Sequence, residues 1–274
     1  MKKTVSKREA QHPEIAVTLY NVREYCKDEA GLAKTLEILR GIGYRSVQIS
    51  AVPLEPAVIR KRLDDFGMEC CATHESADMI LKDTEKLAEK LAVLKCSYAA
   101  LGSAPSVYVS HEGMKRLGEE MSKAGQILAK YGIKLGYHNH SFEFNRFGQD
   151  KTLFQVLFEN SDPKYLYSEM DVQWVARGGA SPASWIRRLA GRIDVIHFKD
   201  FTILDGPTNG FWDAVPTLCE VGYGNLDWEE IVKACRETKV RVFSIEQDRP
   251  FPGRAIFDSM RMSFEFCRKL GLRP

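Results

Sequence analysis

Residues 111–140 read HEGMKRLGEEMSKAGQILAKYGIKLGYHNH. A long segment of helical period with a polar face runs to about residue 131. Gly132 follows where a helix C-cap glycine is expected, and the apolar run KLGYHNH (134–140) begins almost at once. A helix feeding straight into a β-prone run is part of a repeating unit, and the fold depends on how often that unit recurs.

Upstream, IAVTLY (15–20) precedes DEAGLAKTLEILRGIG (28–43), whose Leu32, Leu36 and Leu39 keep a helical spacing. SVQIS (46–50) precedes a helix over 55–66, MECCATH (68–74) precedes DTEKLAEKLAVLK (83–95), and YAALG (98–102) leads into the quoted helix. Downstream, a helix near 151–159 is followed by YLYSEMD (165–171) and SPASWIRRLAG (181–191), where Ser181 is an N-cap with Pro182 at the first helical position. RIDVIHFKD (192–200), DWEEIVKACRET (227–238), RVFSIEQD (241–248) and AIFDSMRMSFEFCRKLG (255–271) complete eight strand–helix pairs. Strict alternation implies a parallel sheet, and eight units favour closure, which leaves no strand edge to protect. The expectation is one (β/α)8 TIM barrel over residues 1–274, with 1–13 an N-terminal extension.

Composition agrees and narrows the function classes. Lys+Arg and Asp+Glu stand at 39 and 37, a formal net charge of +2, which gives no support to a nucleic-acid partner. The basic start MKKTVSKREAQHPE lacks the apolar stretch of a secretory signal, and no run approaches a membrane span. Seven scattered cysteines without a CxxC suit a reducing cytoplasm and buried thiols. A homo-oligomer is compatible with such a barrel, though no residue pattern specifies one.

In this fold the strands deliver functional groups at their C-terminal ends. The last four end in YHNHSFE, MD, IHFKD and IEQD, which offer Glu143, Asp171, His197 and Glu246. Three carboxylates and one imidazole around a common axis form an oxygen-rich set for Mn²⁺ or Mg²⁺, with Co²⁺ or Zn²⁺ also accommodated. His138 and His140, two apart on one strand, share a face and could both line the mouth. His74 at the end of strand three, Lys199, Arg249 and Trp174 are further candidate substrate contacts, and Trp212 and Trp228 could wall a pocket beside them. Lys199 shares the face of His197 and could hold an anionic oxygen or sit solvated at the rim. The Gly/Pro-bearing segment 201–226 has a composition suited to a lid.

YHNHSFEF, DVQWVARGGASP (171–182), GRIDVIHFKD, VGYGNLDW and SIEQD together resemble the sugar phosphate isomerase/epimerase family of the xylose-isomerase-like TIM-barrel superfamily. The resemblance implies one divalent metal held by Glu143, Asp171, His197 and Glu246. Counting back from Asp171 by the spacing of such relatives lands near His138 or Asn139, so the strand-five ligand stays open between Glu143 and the histidines. The AP-endonuclease branch places a histidine where this chain has Trp174, which argues against DNA repair.

The implied activity is isomerisation or epimerisation of a small sugar or keto-sugar. The metal polarises a carbonyl and a flanking carboxylate, Glu143 or Glu246, removes the adjacent proton. The same start with loss of a β-leaving group makes a lyase or dehydratase of a 3-keto-sugar or related substrate. A catalytically idle barrel serving as a binding subunit is the third reading.

Overall fold

A computed structural model of the protein describes residues 14–206 and 210–274. The barrel strands are β1 (Glu14–Thr18), β2 (Ser46–Ile49), β3 (Glu69–Glu75), β4 (Tyr98–Leu101), β5 (Lys134–His138), β6 (Leu166–Asp171), β7 (Val195–Phe198) and β10 (Val242–Ile245). They run parallel in chain order, and β10 closes the barrel on β1. Between β7 and β10 the antiparallel hairpin β8 (Asp200–Gly206) and β9 (Gly210–Cys219) forms a sheet of its own. The expected N-terminal extension, residues 1–13, lies outside the described residues.

The helices form where caps and period direct them. In α1 (Glu29–Ile42) the Asp28 carboxylate accepts from the Gly31 amide, Leu32, Leu36 and Leu39 are buried, and Gly43 ends the helix at φ +130°. Then come α2 (Pro56–Asp65), α3 (Ala77–Leu81) and α4 (Thr84–Leu94). The long α5 (His111–Ala129) is capped by Ser110 and buries Met114, Leu117, Met121 and Leu128 along one face. It is followed by α6 (Leu153–Glu159), α7 (Val172–Arg177), α8 (Pro182–Arg188), α9 (Trp228–Glu237) and α10 (Ile256–Lys269).

Outward strand residues such as Val47, Leu135 and Phe243 pack in the core with the helices. Inside the barrel the floor is small and apolar: Ala72, Tyr98, Ala100 and Val195 cluster there, with Tyr167 and Val242 against them. Tyr98 reaches into room left by Gly136, where an added Cβ would lie 2.2 Å from its hydroxyl. Above this floor the inward positions turn polar, and strand register brings them level. His138 pairs with Glu169, and His197 pairs with both Asp171 and Ser244.

One expectation changes here. Segment 201–226 is largely an ordered hairpin, its base organised by Asp200. That carboxylate accepts from the Gly222 and Gly224 amides at 3.0 and 3.2 Å and from the Trp228 indole at 2.6 Å. Trp228 is thereby a core residue, its ring tilted against Phe198, and Trp212 is 78% exposed on the hairpin; neither lines the cavity at the barrel mouth.

Candidate active site

Each functional side chain is placed by the end of a barrel strand. Asn139, just past β5, carries the ladder one residue further: its side chain accepts from the Asp171 amide at 3.1 Å and donates to the Asp171 carbonyl at 3.3 Å. Asp171 Oδ1 accepts from the Trp174 amide at 3.0 Å at the start of α7. Its Oδ2 makes no hydrogen bond and lies 3.5 Å from the Lys199 ammonium. His197 pairs through Nδ1 with Glu246, and its Nε2 approaches Gln48 Oε1 at 2.8 Å.

His138, Asp171, His197 and Glu246 present ligand atoms that all lie within 4.8 Å of one another, and all four residues are buried. A second group, His74, His138, Glu169 and His197, overlaps it. Burial pushes the Asp171 carboxyl up to about 7, with Lys199 opposing and the Glu246 charge adding. Burial also works against ionised Glu246, but Lys199 and His197 outweigh it and hold that carboxyl well below its ordinary range. Burial disfavours a charge on His197, yet Glu169 and Glu246 raise it to about 10. A buried carboxylate oxygen without a hydrogen bond, beside a second carboxylate and two imidazoles, is a donor set that fits a divalent cation. Such an ion would complete the coordination that the protein leaves open at Asp171 Oδ2.

The model of the xylose isomerase-like TIM barrel family matches residues 36–269. The chain belongs to that family. Among curated relatives, the inosose dehydratase of Bacillus licheniformis is 23% identical over 63% of this chain, and the match spans 64% of that protein, just under two thirds of its length. A solved sugar phosphate isomerase/epimerase from Parabacteroides distasonis superposes with a TM-score of 0.78 at 22% identity, covering 97% of this chain and 96% of the other. The D-allulose 3-epimerase from Methylomonas sp., solved with D-allulose, superposes with a TM-score of 0.68 at 14% identity, covering 94% and 97%. At these identities the solved structures establish the fold.

Within this xylose isomerase-like barrel the expected residues fall into distinct places. A mouth cavity of about 320 Å³ is lined by His74, His138, His140, Lys199 and Glu246, together with Ser50 and Asp248 among others. The Trp174 ring stands 5.1 Å from the Lys199 ammonium and 5.4 Å from the His140 ring. Arg249 lies instead in a neighbouring cleft with Arg23 and Arg254. Lys199 is not a solvated rim lysine: it is buried and bonded to Asp248 at 2.8 Å.

Glu143 does not join the cluster. Its Oε1 accepts from the Tyr137 hydroxyl at 2.7 Å and its Oε2 from the His140 amide at 2.9 Å. Tyr137 alternates with inward-facing His138 and points to the helix side of β5, and it takes Glu143 with it. His138 fills the strand-five position of the cluster. Glu169, Gln48, Ser50 and Asp248 went unnoticed in the sequence. For Glu169 a signal existed: in YLYSEMD it stands two residues before Asp171, on the same strand face.

Proposed function

We propose that the protein is a divalent-metal-dependent enzyme that moves a proton next to the carbonyl of a sugar or keto-sugar, acting as an isomerase or epimerase. The observation carrying this reading is the buried quartet of His138, Asp171, His197 and Glu246, of which His138 and Glu246 also line the mouth cavity. These four residues would hold the metal, with Mn²⁺ or Mg²⁺ preferred for the carboxylates and Co²⁺ or Zn²⁺ compatible with the imidazoles. When bound, the metal supplies Lewis-acid polarisation of the carbonyl and so acidifies the neighbouring C–H bond.

The remaining work belongs to the chain. His140 is lowered to about 4 by burial and by the Lys199 charge, so its ring is uncharged at neutral pH; as the proton acceptor it is a weak base that holds the proton only transiently and returns it readily. Lys199, held by Asp248 and poised near Trp174, offers a fixed ammonium to the developing oxyanion. Glu246, which lines the same cavity, would be a second group able to exchange a proton with the substrate. Return of the proton to the opposite face of the same carbon epimerises, and return to the neighbouring carbon isomerises. Glu143, expected as a base from the sequence, gives this role to His140 and instead shapes the turn that presents it.

A second reading is favoured by the inosose dehydratase relative. If the carbon next to the deprotonated one, β to the carbonyl, carries a hydroxyl, the electron pair left by the proton forms the C=C bond as that C–O bond breaks. The departing hydroxide takes a proton and leaves as water. A non-catalytic binding subunit ranks third.

The test is solvent-proton exchange. Metal-stripped protein reconstituted with Mn²⁺ or Mg²⁺ is incubated in D₂O with a ketohexose and with a 2-keto-inositol, and the C–H signals are followed by NMR. Deuterium entering next to the carbonyl, and absent in Asp171→Asn and His140→Ala, supports the proposal. Appearance of an alkene signal selects the dehydratase. Absence of both metal uptake and exchange leaves the binding subunit.

A further inference from the structure

Proton transfer as proposed makes no use of Glu169, although this carboxylate occupies the centre of the site. It is fully buried on β6, with the His74 Nε2 at 2.5 Å, the His197 Nε2 at 3.5 Å and the His138 Nδ1 at 3.7 Å, all from its Oε2. Its Oε1 and the His138 Nδ1 have no hydrogen-bond partner. His74 in turn meets the Ser50 hydroxyl through Nδ1 at 3.1 Å. One buried acid therefore sits beneath three imidazoles that come from three other strands.

The two rings shared with the cation-binding quartet are each divided between two sides. His197 directs Nδ1 to Glu246 and Nε2 toward Gln48 and Glu169. His138 directs Nδ1 toward Glu169, which leaves Nε2 for the quartet. An imidazole whose inner N–H faces a carboxylate presents a lone pair on its outer nitrogen, in a fixed tautomer and orientation. The 3.5 and 3.7 Å separations are longer than an ordinary hydrogen bond and place both ring nitrogens within ion-pair range of the carboxylate. Burying an ionised carboxylate is costly unless positive or N–H partners surround it, and here the ion-pair partners among the described residues are imidazoles.

We propose that Glu169 is a positioning residue: the common carboxylate that aims His138 and His197 at the divalent cation from beneath, and that ties them through His74 to the wall of the substrate cavity. The proposal rests on the metal reading of the quartet and goes beyond it, because it places Glu169 behind the ligands and not among them.

The test compares wild type with Glu169→Gln, Glu169→Asp, His74→Ala and Ser168→Ala. Each is stripped of metal and titrated with Zn²⁺ and Mn²⁺ against a chromophoric chelator, while elemental analysis gives stoichiometry and circular dichroism checks folding. Wild type is expected to bind one ion per chain. E169Q should still bind one ion, but about 10–100-fold more weakly, the usual consequence of losing a carboxylate behind a histidine ligand. H74A should weaken binding less than E169Q, and S168A, a neighbouring buried residue on β6, by less than about twofold. ¹⁵N NMR of the imidazoles should show His138 protonated at Nδ1 in wild type and a mixture of tautomers in E169Q.

Equal losses in S168A and E169Q would reduce the effect to packing and overturn the proposal. So would E169Q affinity within about threefold of wild type. A wild-type stoichiometry of two that falls to one in E169Q would also overturn it, by making Glu169 a ligand. Should E169Q not fold, E169D decides: it keeps the charge but withdraws it by a methylene, and unchanged affinity would refute the anchor. No binding by wild type would instead sink the metal reading itself, an outcome distinct from all of these.

Discussion

The carboxyl of Glu143 is pushed up by burial from 4.5 to about 7, against the hydrogen bonds of Tyr137 and the His140 amide. Each pKa unit corresponds to about 1.4 kcal/mol, so ionising this group in the folded protein costs about 3 kcal/mol relative to the unfolded chain. The sign follows from proton binding. Between pH 4.5 and about 7 the folded state holds the Glu143 proton while the unfolded state has released it, so raising the pH favours unfolding. The penalty is absent below pH 4.5 and fully present above about 7. Glu143→Gln removes it, although the amide nitrogen cannot accept from the His140 N–H. Chemical denaturation of metal-stripped wild type and E143Q at several pH values between 4.5 and 8 isolates the effect, since Asp171 and the histidines titrate in both. Stability of wild type relative to E143Q should fall by about 3 kcal/mol across that range. A difference that does not change with pH would refute the reasoning and would mean that Glu143 is solvated or paired with a cation.

Metal content separates the strand-five candidates: His138→Ala and Asp171→Asn should lose the ion on dialysis, and E143Q should retain it, as read by elemental analysis. Lys199→Met leaves Asp171, Glu246 and Asp248 without their shared ammonium, and removing one partner from a buried pair costs about 3–5 kcal/mol. A thermal midpoint within a degree of wild type would contradict it. Gly136→Ala sets a Cβ against the Tyr98 hydroxyl at the barrel floor and should destabilise by about 1–3 kcal/mol in urea unfolding. The double substitution with Tyr98→Phe, which removes the clashing oxygen, should recover part of that loss.

Sequence alone determined the features that arise locally. Helical period, Gly132 and Gly43 at helix ends, and short β-prone runs are properties of a few neighbouring residues, so the eight strand–helix pairs and the barrel they imply were legible. A strand end is also local, and the closed barrel brings Asp171, His197 and Glu246 together once those ends are known. Tertiary structure decided what depends on partners distant in the chain. Whether Glu143 or His138 enters the cluster turns on where β5 stops and on the Tyr137 hydroxyl that captures the glutamate on the helix side. Glu169 looks like one more strand residue until His74, ninety-five positions away, is placed against it. The hairpin over 200–219 follows from Asp200 gathering amides and an indole from 222–228, contacts that reach 22 to 28 positions along the chain, well beyond one turn or one strand. Period and capping act over one turn or one strand, whereas a buried charge takes its role from whichever groups the closed barrel delivers to it.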